Sequence, residues 1–242
     1  MKAMIMAAGK GTRLGAITEN MPKALVEING KSMLRLAVEK CSRYGFRDII
    51  VNVHHFAEMV ETEVERLNSS GFNVSVSDER EMLLENGGGL FKARDFFDDN
   101  PFLVCNVDII TDLDLSQLYN YHIQNKGLAT LAVRNRTDSR YLLVNSKGIL
   151  KGWCNNASGE KIICDKKENI LNEIAFSSFQ IMDPVCFKNM TEGVYTLVEL
   201  YLNLAGRHKI NTFRHDEGYW FNVGTPEILE SVRLFFADKS GK

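Results

Sequence analysis

The feature that most constrains the fold is the alternation, over about the first 130 residues, of short apolar runs with amphipathic stretches. The runs of strand length are AMIMAA, DIIVNV, FNVSVS, PFLVCNV and LATLAV. Apolar residues at helical spacing between them predict helices over Ser32–Tyr44, Phe56–Leu67 and Gly89–Phe97. Strands joined by crossover helices run parallel in one sheet. The sequence therefore predicts an α/β fold with a doubly wound sheet, whose ligands bind beyond the carboxyl ends of the strands.

The pattern changes after residue 135. The segment YLLVNSKGILKGWCNNASGEKIICD alternates apolar positions with Gly and Asn turn residues, which predicts antiparallel strands. A strand IAFSSFQIM, a short helix begun by Pro184, and helices over TLVELYLNLAG and EILESVRLFFA follow. Because no repeat, low-complexity tract or linker interrupts the chain, we expect a single domain over residues 1–242, with halves 1–135 and 136–242.

Composition excludes several classes of partner. With 29 Lys and Arg against 31 Asp and Glu, the net charge of −2 provides no basic field for nucleic acid. No run of about 18 apolar residues is present, so we expect no membrane partner. The five cysteines are scattered without a C-x-x-C pair, which favours reduced thiols in a cytoplasmic protein. A small-molecule substrate is the expectation that remains.

A glycine loop, AAGKGTR, directly follows the first predicted strand. Gly9 and Gly11 allow backbone N–H groups to approach a bound anion closely. The spacing fits neither the GxGxxG dinucleotide fingerprint nor the GK[ST] ending of a Walker loop. Arg13 adds a fork of donors suited to phosphate oxygens, and Lys23 follows in a Pro-Lys pair. These residues together predict a site for a triphosphate.

The string GKGTR, then Thr18, then Pro22-Lys23 resembles the signature GxGTR, T, PK of sugar-1-phosphate nucleotidylyltransferases. The resemblance extends along nearly the whole chain. It implies a GT-A-like nucleotidyltransferase fold, Rossmann-like with a mixed sheet, in which residues 1–135 bind the nucleotide and a β-rich lobe over 136–242 binds the sugar. By motif match it implies that the nucleotide is held by Ala8, Gly9, Gly11 and Thr12, and that Arg13 and Lys23 are catalytic, with Lys23 at the reacting phosphate.

Three consecutive glycines in LLENGGGLFKA are poor helix material unless something must approach the backbone closely. The segment resembles the LETGGG of N-acetylmuramate-1-phosphate uridylyltransferases, with Asn in place of Thr. The resemblance implies that the nucleobase is read by Glu85, Asn86, Gly87 and Gly88. A helix that simply begins with glycines is the structural alternative.

Asp108 lies at the carboxyl end of the strand PFLVCNV, and Mg²⁺ prefers such oxygen ligands. The resemblance implies that Asp108 binds Mg²⁺ together with the third residue of a W-x-D-V-G-T-P motif. That motif here reads YWFNVGTPE, so Asn222 takes the position of the Asp, as it does in the more distant acetylglucosamine-1-phosphate uridylyltransferases. An amide oxygen can bind Mg²⁺ but carries no charge, so we expect weaker metal binding. Asp112 and Asp114 fit helix capping, although they also form the D-x-D of a glycosyltransferase.

The strand AFSSFQIM and the segment GWCNNASGE resemble the strand and hairpin that line the sugar pocket of this family. On that resemblance Glu173 and Glu199 are candidate acceptors for sugar hydroxyls. Either carboxylate is equally compatible with a solvated or ion-paired role.

The function expected from these residues is transfer of a nucleoside monophosphate from a triphosphate to a sugar 1-phosphate, with release of pyrophosphate. The glycine-rich segment favours UTP with an amino-sugar 1-phosphate. GTP with mannose- or heptose-1-phosphate, CTP with a phosphoalcohol, and an inactive nucleotide-sugar-binding subunit stay open as alternatives.

Overall fold

A computed structural model describes residues 1–165 and 170–240. The strands, in chain order, are β1 (Lys2–Met6), β2 (Glu27–Ile28), β3 (Lys31–Ser32), β4 (Asp48–Val53), β5 (Asn73–Asp78), β6 (Phe102–Asn106), β7 (Ile109–Thr111), β8 (Ala129–Arg134), β9 (Arg140–Val144), β10 (Leu150–Asn155), β11 (Glu160–Ile163), β12 (Asn172–Met182), β13 (Ile210–Arg214) and β14 (Trp220–Asn222). The α-helices are α1 (Met33–Arg43), α2 (Ala57–Ser69), α3 (Glu85–Lys92), α4 (Leu115–Asn125), α5 (Leu197–Leu204) and α6 (Pro226–Ser240). Short 3₁₀ segments cover Thr12–Thr18, Lys23–Leu25, Arg94–Phe96 and Pro184–Asn189.

The chain divides into two compact units. The first comprises Met1–Leu83, Cys105–Asp112 and the described residues from Tyr219 onward. The second comprises Leu84–Val104 and Leu113–Gly218. The expectation that residues 1–242 act as a single domain with a boundary near residue 135 stays a prediction.

The first unit contains a parallel arrangement of β1, β4 and β5. Lys2–Met6 of β1 pairs with Asp48–Asn52 of β4, and β4 pairs along its whole length with β5. Strand β1 is completely apolar from Ala3 to Met6 and buried, as expected for a parallel strand covered on both faces. The five strands predicted over the first half and the helices α1 and α2 are therefore confirmed, with ends that shift by at most two residues.

The second unit has mixed pairing around the long strand β12. Strands β8 and β9 both pair with β12 antiparallel, and β13 runs parallel to β8. Strands β9, β10 and β11 form the antiparallel ladder that the alternating apolar pattern predicts. A bulge between Phe176 and Gln180 interrupts β12, and Ser178 within it has a φ of 60°. The predicted α/β class with a β-rich second half is confirmed.

Three predictions about local structure are wrong. The helix predicted over Gly89–Phe97 begins earlier, at Glu85, and ends at Lys92, where a 3₁₀ turn follows. The predicted alternation of strand and helix also fails after Asp108, because β6 turns directly into β7 without a crossover helix. Asp114 caps α4 as expected, by accepting from Ser116 N and Gln117 N. Asp112 caps no helix: its carboxylate accepts from Tyr219 N at 3.0 Å.

The early start of α3 has a physical cause in the packing of the second unit. The N–H of Gly87 donates to the carbonyl of Tyr195 at 2.9 Å. A Cβ at position 87 would lie 2.7 Å from that same carbonyl oxygen, and one at position 88 would overlap the carbonyl oxygen of Gly193. The close approach that the glycines allow is thus made by the chain itself, over residues 193–195.

Two expectations from composition concern membranes and cysteines. In the part of the chain that the structure describes, no helix is both long and apolar enough to cross a membrane. All five cysteines are free thiols. A hydrogen bond with Cys41, and then burial, raise the pKa of Cys105, and burial raises the pKa of Cys186.

We expect Gly88→Ala to destabilise the protein by about 1–3 kcal/mol, because the new methyl group has no space beside Gly193. Helix propensity alone would make the Ala variant about 1 kcal/mol more stable than the wild type. The sign of the change in stability therefore tells the packing effect from the propensity effect. Chemical denaturation of both variants measures it. Gly9→Ala is the matched control, since a Cβ there meets nothing within 4 Å. Equal stability of the two variants would contradict the packing described.

Candidate active site

The loop after β1 leaves its glycine and cationic residues exposed. Gly9, Thr12 and Arg13 are exposed, whereas Leu14 anchors the loop as a buried side chain. Gly11 has a φ of 67°, which favours glycine. Thr18, the second element of the sequence signature, closes the turn because its hydroxyl donates to the carbonyl of Gly11 at 3.0 Å. The loop therefore exposes backbone and the guanidinium of Arg13, while Leu14 and Thr18 hold it in place.

Lys23 connects this loop to the strand-end carboxylate. A Cβ on Gly11 would lie 2.8 Å from Cβ of Lys23, so the loop packs directly on the lysine stem. The ammonium group forms an ion pair with Oδ2 of Asp108. The side chains of Lys23 and Asp108 are only 9% and 17% exposed, so water screens the pair weakly. The two residues predicted at the reacting phosphate and at the metal are thus in direct contact.

Asp108 and Asn222 are brought together by the pairing of β7 with β14. Asn222 pairs with Ile109, the residue after Asp108, and Val223 N donates to the carbonyl of Asp108 at 2.9 Å. Oδ1 of Asn222 is buried and has no hydrogen-bond partner among the described residues. A buried carbonyl oxygen without a donor is costly, and it is suited to an added cation or donor.

Gly224, in the same C-terminal motif, allows Arg13 to approach Asn222. A Cβ on Gly224 would lie 3.1 Å from Nη2 of Arg13 and 3.4 Å from Oδ1 of Asn222. Arg13, Lys23, Asp108 and Asn222 therefore lie around one region of the first unit.

A divalent cation fits the oxygen atoms of this region. Asp108 offers a carboxylate and Asn222 an amide oxygen, and both are hard ligands. Among the described residues no group of three or more His, Cys, Asp or Glu is placed to hold a metal, so these two oxygens would need substrate phosphates to complete the coordination. That arrangement is typical of Mg²⁺ sites in enzymes that act on nucleotides.

The candidate base-reading residues lie in the second unit, at the start of α3. Glu85 has a φ of 58°, and the side chain of Asn86 accepts from Leu197 N at 2.7 Å. Asn86 thereby caps the first turn of α5. Because Gly87 and Gly88 pack against residues 193–195, the structure gives these residues a packing role, and their contact with a base stays a prediction.

The two candidate sugar-binding carboxylates have partners within the second unit. Glu199 forms a capping box with Thr196 at the start of α5, and the hydrogen bonds from Thr196 lower the pKa of Glu199. Glu173 accepts from Asn156 at 3.1 Å and lies beside Cys154, whose pKa is raised first by burial and then by that carboxylate. Asn86 and Glu199 therefore both cap the N-terminal end of α5. Contact of either glutamate with a sugar stays a prediction.

The sequence prediction missed Asn52, the one polar residue between Ile49 and Val53 of β4. Its side chain is 3% exposed and accepts hydrogen bonds from Ala7 N and Ala8 N, at 2.7 and 3.3 Å. The N–H groups of Ala7 and Ala8 are thus taken up by Asn52, and the exposed part of the loop begins with Gly9. A polar side chain in an otherwise apolar strand was the available signal.

Comparisons with known proteins show which family the chain belongs to. Residues 2–150 match the model of the family described as Nucleotidyl transferase. The chain is 28% identical over 247 residues to N-acetylmuramate alpha-1-phosphate uridylyltransferase of Caulobacter vibrioides, covering 98% of this chain and 97% of that protein. It is 30% identical over 248 residues to mannose-1-phosphate guanyltransferase of Yarrowia lipolytica, covering 100% of this chain and 66% of the relative.

A solved structure shares the fold. The crystal structure of HddC from Yersinia pseudotuberculosis complexed with GMP-PN superposes with a TM-score of 0.79 over 97% of this chain and 99% of that one, at 19% identity. The family match covers more than half of the chain and includes the glycine loop, Lys23 and Asp108. The chain therefore belongs to the nucleotidyl transferase family.

Proposed function

We propose that this protein transfers a nucleoside monophosphate from a nucleoside triphosphate to a sugar 1-phosphate, releasing pyrophosphate and forming a nucleotide sugar. The observation that carries the proposal is the contact of Lys23 with both the glycine loop and Asp108. It joins groups suited to a triphosphate with a carboxylate suited to a metal. The two relatives that align along the whole chain are named for reactions of this class.

The chemistry needs little beyond position and charge. A phosphate oxygen of the sugar 1-phosphate attacks the α phosphorus, and the bond from that phosphorus to the bridging oxygen of the β phosphate breaks. The electron pair leaves with pyrophosphate. Because the attacking phosphate is already ionised at neutral pH, no general base is required. Arg13 and Lys23 neutralise the charge that accumulates on the phosphate oxygens.

We propose Mg²⁺ as the cofactor, held by Asp108 and Asn222. When bound, the ion supplies positive charge to the triphosphate and helps to hold it in line with the attacking oxygen. The unpaired Oδ1 of Asn222 supports this assignment. Lys23 forms an ion pair with the carboxylate of Asp108 in the structure, so a bound cation would share that negative charge with the lysine.

UTP and an amino-sugar 1-phosphate are the substrates that we propose. The supporting observations are the ENGGG segment and the relative from Caulobacter vibrioides, which aligns along nearly its whole length. A guanylyl transfer to a hexose or heptose 1-phosphate is the second candidate. It is supported by the relative from Yarrowia lipolytica and by the structural neighbour complexed with GMP-PN. We propose a cytoplasmic location for this activity, which the free thiols and the proposed nucleotide substrates support.

Pyrophosphate release measured with each of the four ribonucleoside triphosphates against a panel of sugar 1-phosphates tests the proposed function. We expect turnover with UTP and an amino-sugar phosphate to exceed that with every other pair. Higher turnover with GTP would support the second candidate instead. Tight binding of a nucleotide sugar without pyrophosphate release from any pair would indicate an inactive binding protein.

Lys23→Ala should lower kcat by about 100-fold or more, because the charge beside the reacting phosphate is lost. Lys31→Ala is a matched control: Lys31 also pairs with a carboxylate in the first unit, Glu39 at 2.8 Å, but 48% of its side chain is exposed. It should retain nearly full activity. Circular dichroism must show both variants folded at the assay temperature. A near-wild-type rate for folded Lys23→Ala would refute the mechanism.

Asn222→Asp should strengthen binding of a divalent cation by about tenfold, because a second carboxylate joins Asp108. Titration of the protein with Mn²⁺ alone, followed by electron paramagnetic resonance, measures the change independently of turnover. Asn222→Ala should weaken the same binding. If all three proteins bind Mn²⁺ equally, position 222 is not a metal ligand.

A further inference from the structure

We propose that Asn52 and Glu79 are positioning residues, which set the geometry of the nucleotide loop from beneath it. Neither residue belongs to the glycine loop or to the metal region described above. The inference rests on the proposed function, since it concerns how the loop is held ready for a triphosphate.

The register of the parallel strands places Asn52 at the end of β1. Met6, the last residue of β1, pairs with Asn52 of β4. The side chain of Asn52 therefore reaches the first two residues beyond the strand, Ala7 and Ala8. Backbone N–H groups can only donate, so the amide oxygen of Asn52 must face the loop and its NH₂ group must face away.

The NH₂ group of Asn52 is fixed by a second buried residue. Nδ2 donates to Oε1 of Glu79 at 2.9 Å, and Glu79 is only 1% exposed. The backbone of Glu79 is itself held: its N–H donates to the carbonyl of Val53 at 2.7 Å, and its carbonyl lies 2.7 Å from Nδ1 of His54. The carboxylate thus prevents the amide from rotating, and the amide prevents the loop from shifting.

The connection matters for the ligand because Gly9 directly follows Ala8. The two hydrogen bonds fix the peptide planes that lead into Gly9, and hence the direction in which the exposed N–H groups point. A glycine loop has many accessible conformations, and holding it in one conformation before the triphosphate arrives reduces the entropy lost on binding. We therefore expect Asn52 and Glu79 to affect the affinity for the triphosphate rather than for the sugar phosphate.

The role of Glu79 can be separated from its charge. In Glu79→Gln the side-chain oxygen can still accept from Nδ2 of Asn52, whereas in Glu79→Leu it cannot. If Glu79 acts by holding Asn52, the Gln variant keeps the affinity and the Leu variant loses it. If only its negative charge mattered, the two variants would behave alike.

The experiment is a calorimetric titration with UTP and with GTP in the presence of Mg²⁺, together with KM values for both substrates. Asn52→Leu and Glu79→Leu should raise the dissociation constant and the KM for the triphosphate by about tenfold, the expected effect of losing a buried hydrogen bond. The KM for the sugar phosphate should change less than about threefold, and Glu79→Gln should behave as wild type.

Asn211→Leu is the matched control. Asn211 is 1% exposed and its Nδ2 donates to a backbone carbonyl, that of Lys126 at 3.1 Å, in the second unit. It should lower the melting temperature without changing triphosphate affinity. The inference is wrong if Asn52→Leu has no more effect on affinity than Asn211→Leu, or if Glu79→Gln weakens binding as much as Glu79→Leu.

Two features keep the outcome interpretable. Should Asn52→Leu fail to fold, the Gln and Leu variants of Glu79 still decide the question. Because binding is measured directly, absence of pyrophosphate release from the wild type would refute the proposed function and leave the comparison of affinities valid.

Discussion

The ion pair between Lys23 and Asp108 is the interaction on which the candidate active site depends. It joins two stretches of the first unit that are 85 residues apart in sequence. Both charges are largely removed from water, which is favourable only when each has a partner. The pair thus gives each of the two largely buried charges a partner, and in the proposed function phosphate oxygens and a cation would take over those partners.

The surroundings of this pair are built by ordinary backbone rules. The parallel strands place Asn52 near the carboxyl end of β4, and the glycine loop and Glu79 just beyond the carboxyl ends of β1 and β5, as expected for a doubly wound sheet. The antiparallel pairing of β7 with β14 brings Asn222, near the end of the sequence, beside Asp108, near its middle. The neutral amide at position 222 leaves this region with one negative charge fewer than a second carboxylate would, and an Arg and a Lys lie close to it.

Much of this could be predicted from the sequence, and the failures have physical causes. The strands of the first half were clear because buried parallel strands are continuous apolar runs, and GKGTR with Lys23 marked the loop. The start of α3 was missed because glycines disfavour a helix locally, whereas contacts with residues 193–195, more than a hundred positions away, stabilise it. Asn52 was missed because its role depends on contacts with Ala7 and Ala8 that the sequence does not reveal. The capping box of Glu199 was likewise not foreseen, and contact of Glu199 with a sugar stays a prediction.

The central claim is that the bound triphosphate reacts at its α phosphorus. The most direct measurement uses UTP labelled with ³²P at either the α or the γ position, incubated with the wild-type protein, Mg²⁺ and a sugar 1-phosphate, and followed by chromatography. The account predicts that the α label moves to the nucleotide sugar and the γ label to pyrophosphate. Transfer of the γ label to the acceptor, or retention of both labels in the triphosphate with every acceptor, would contradict it.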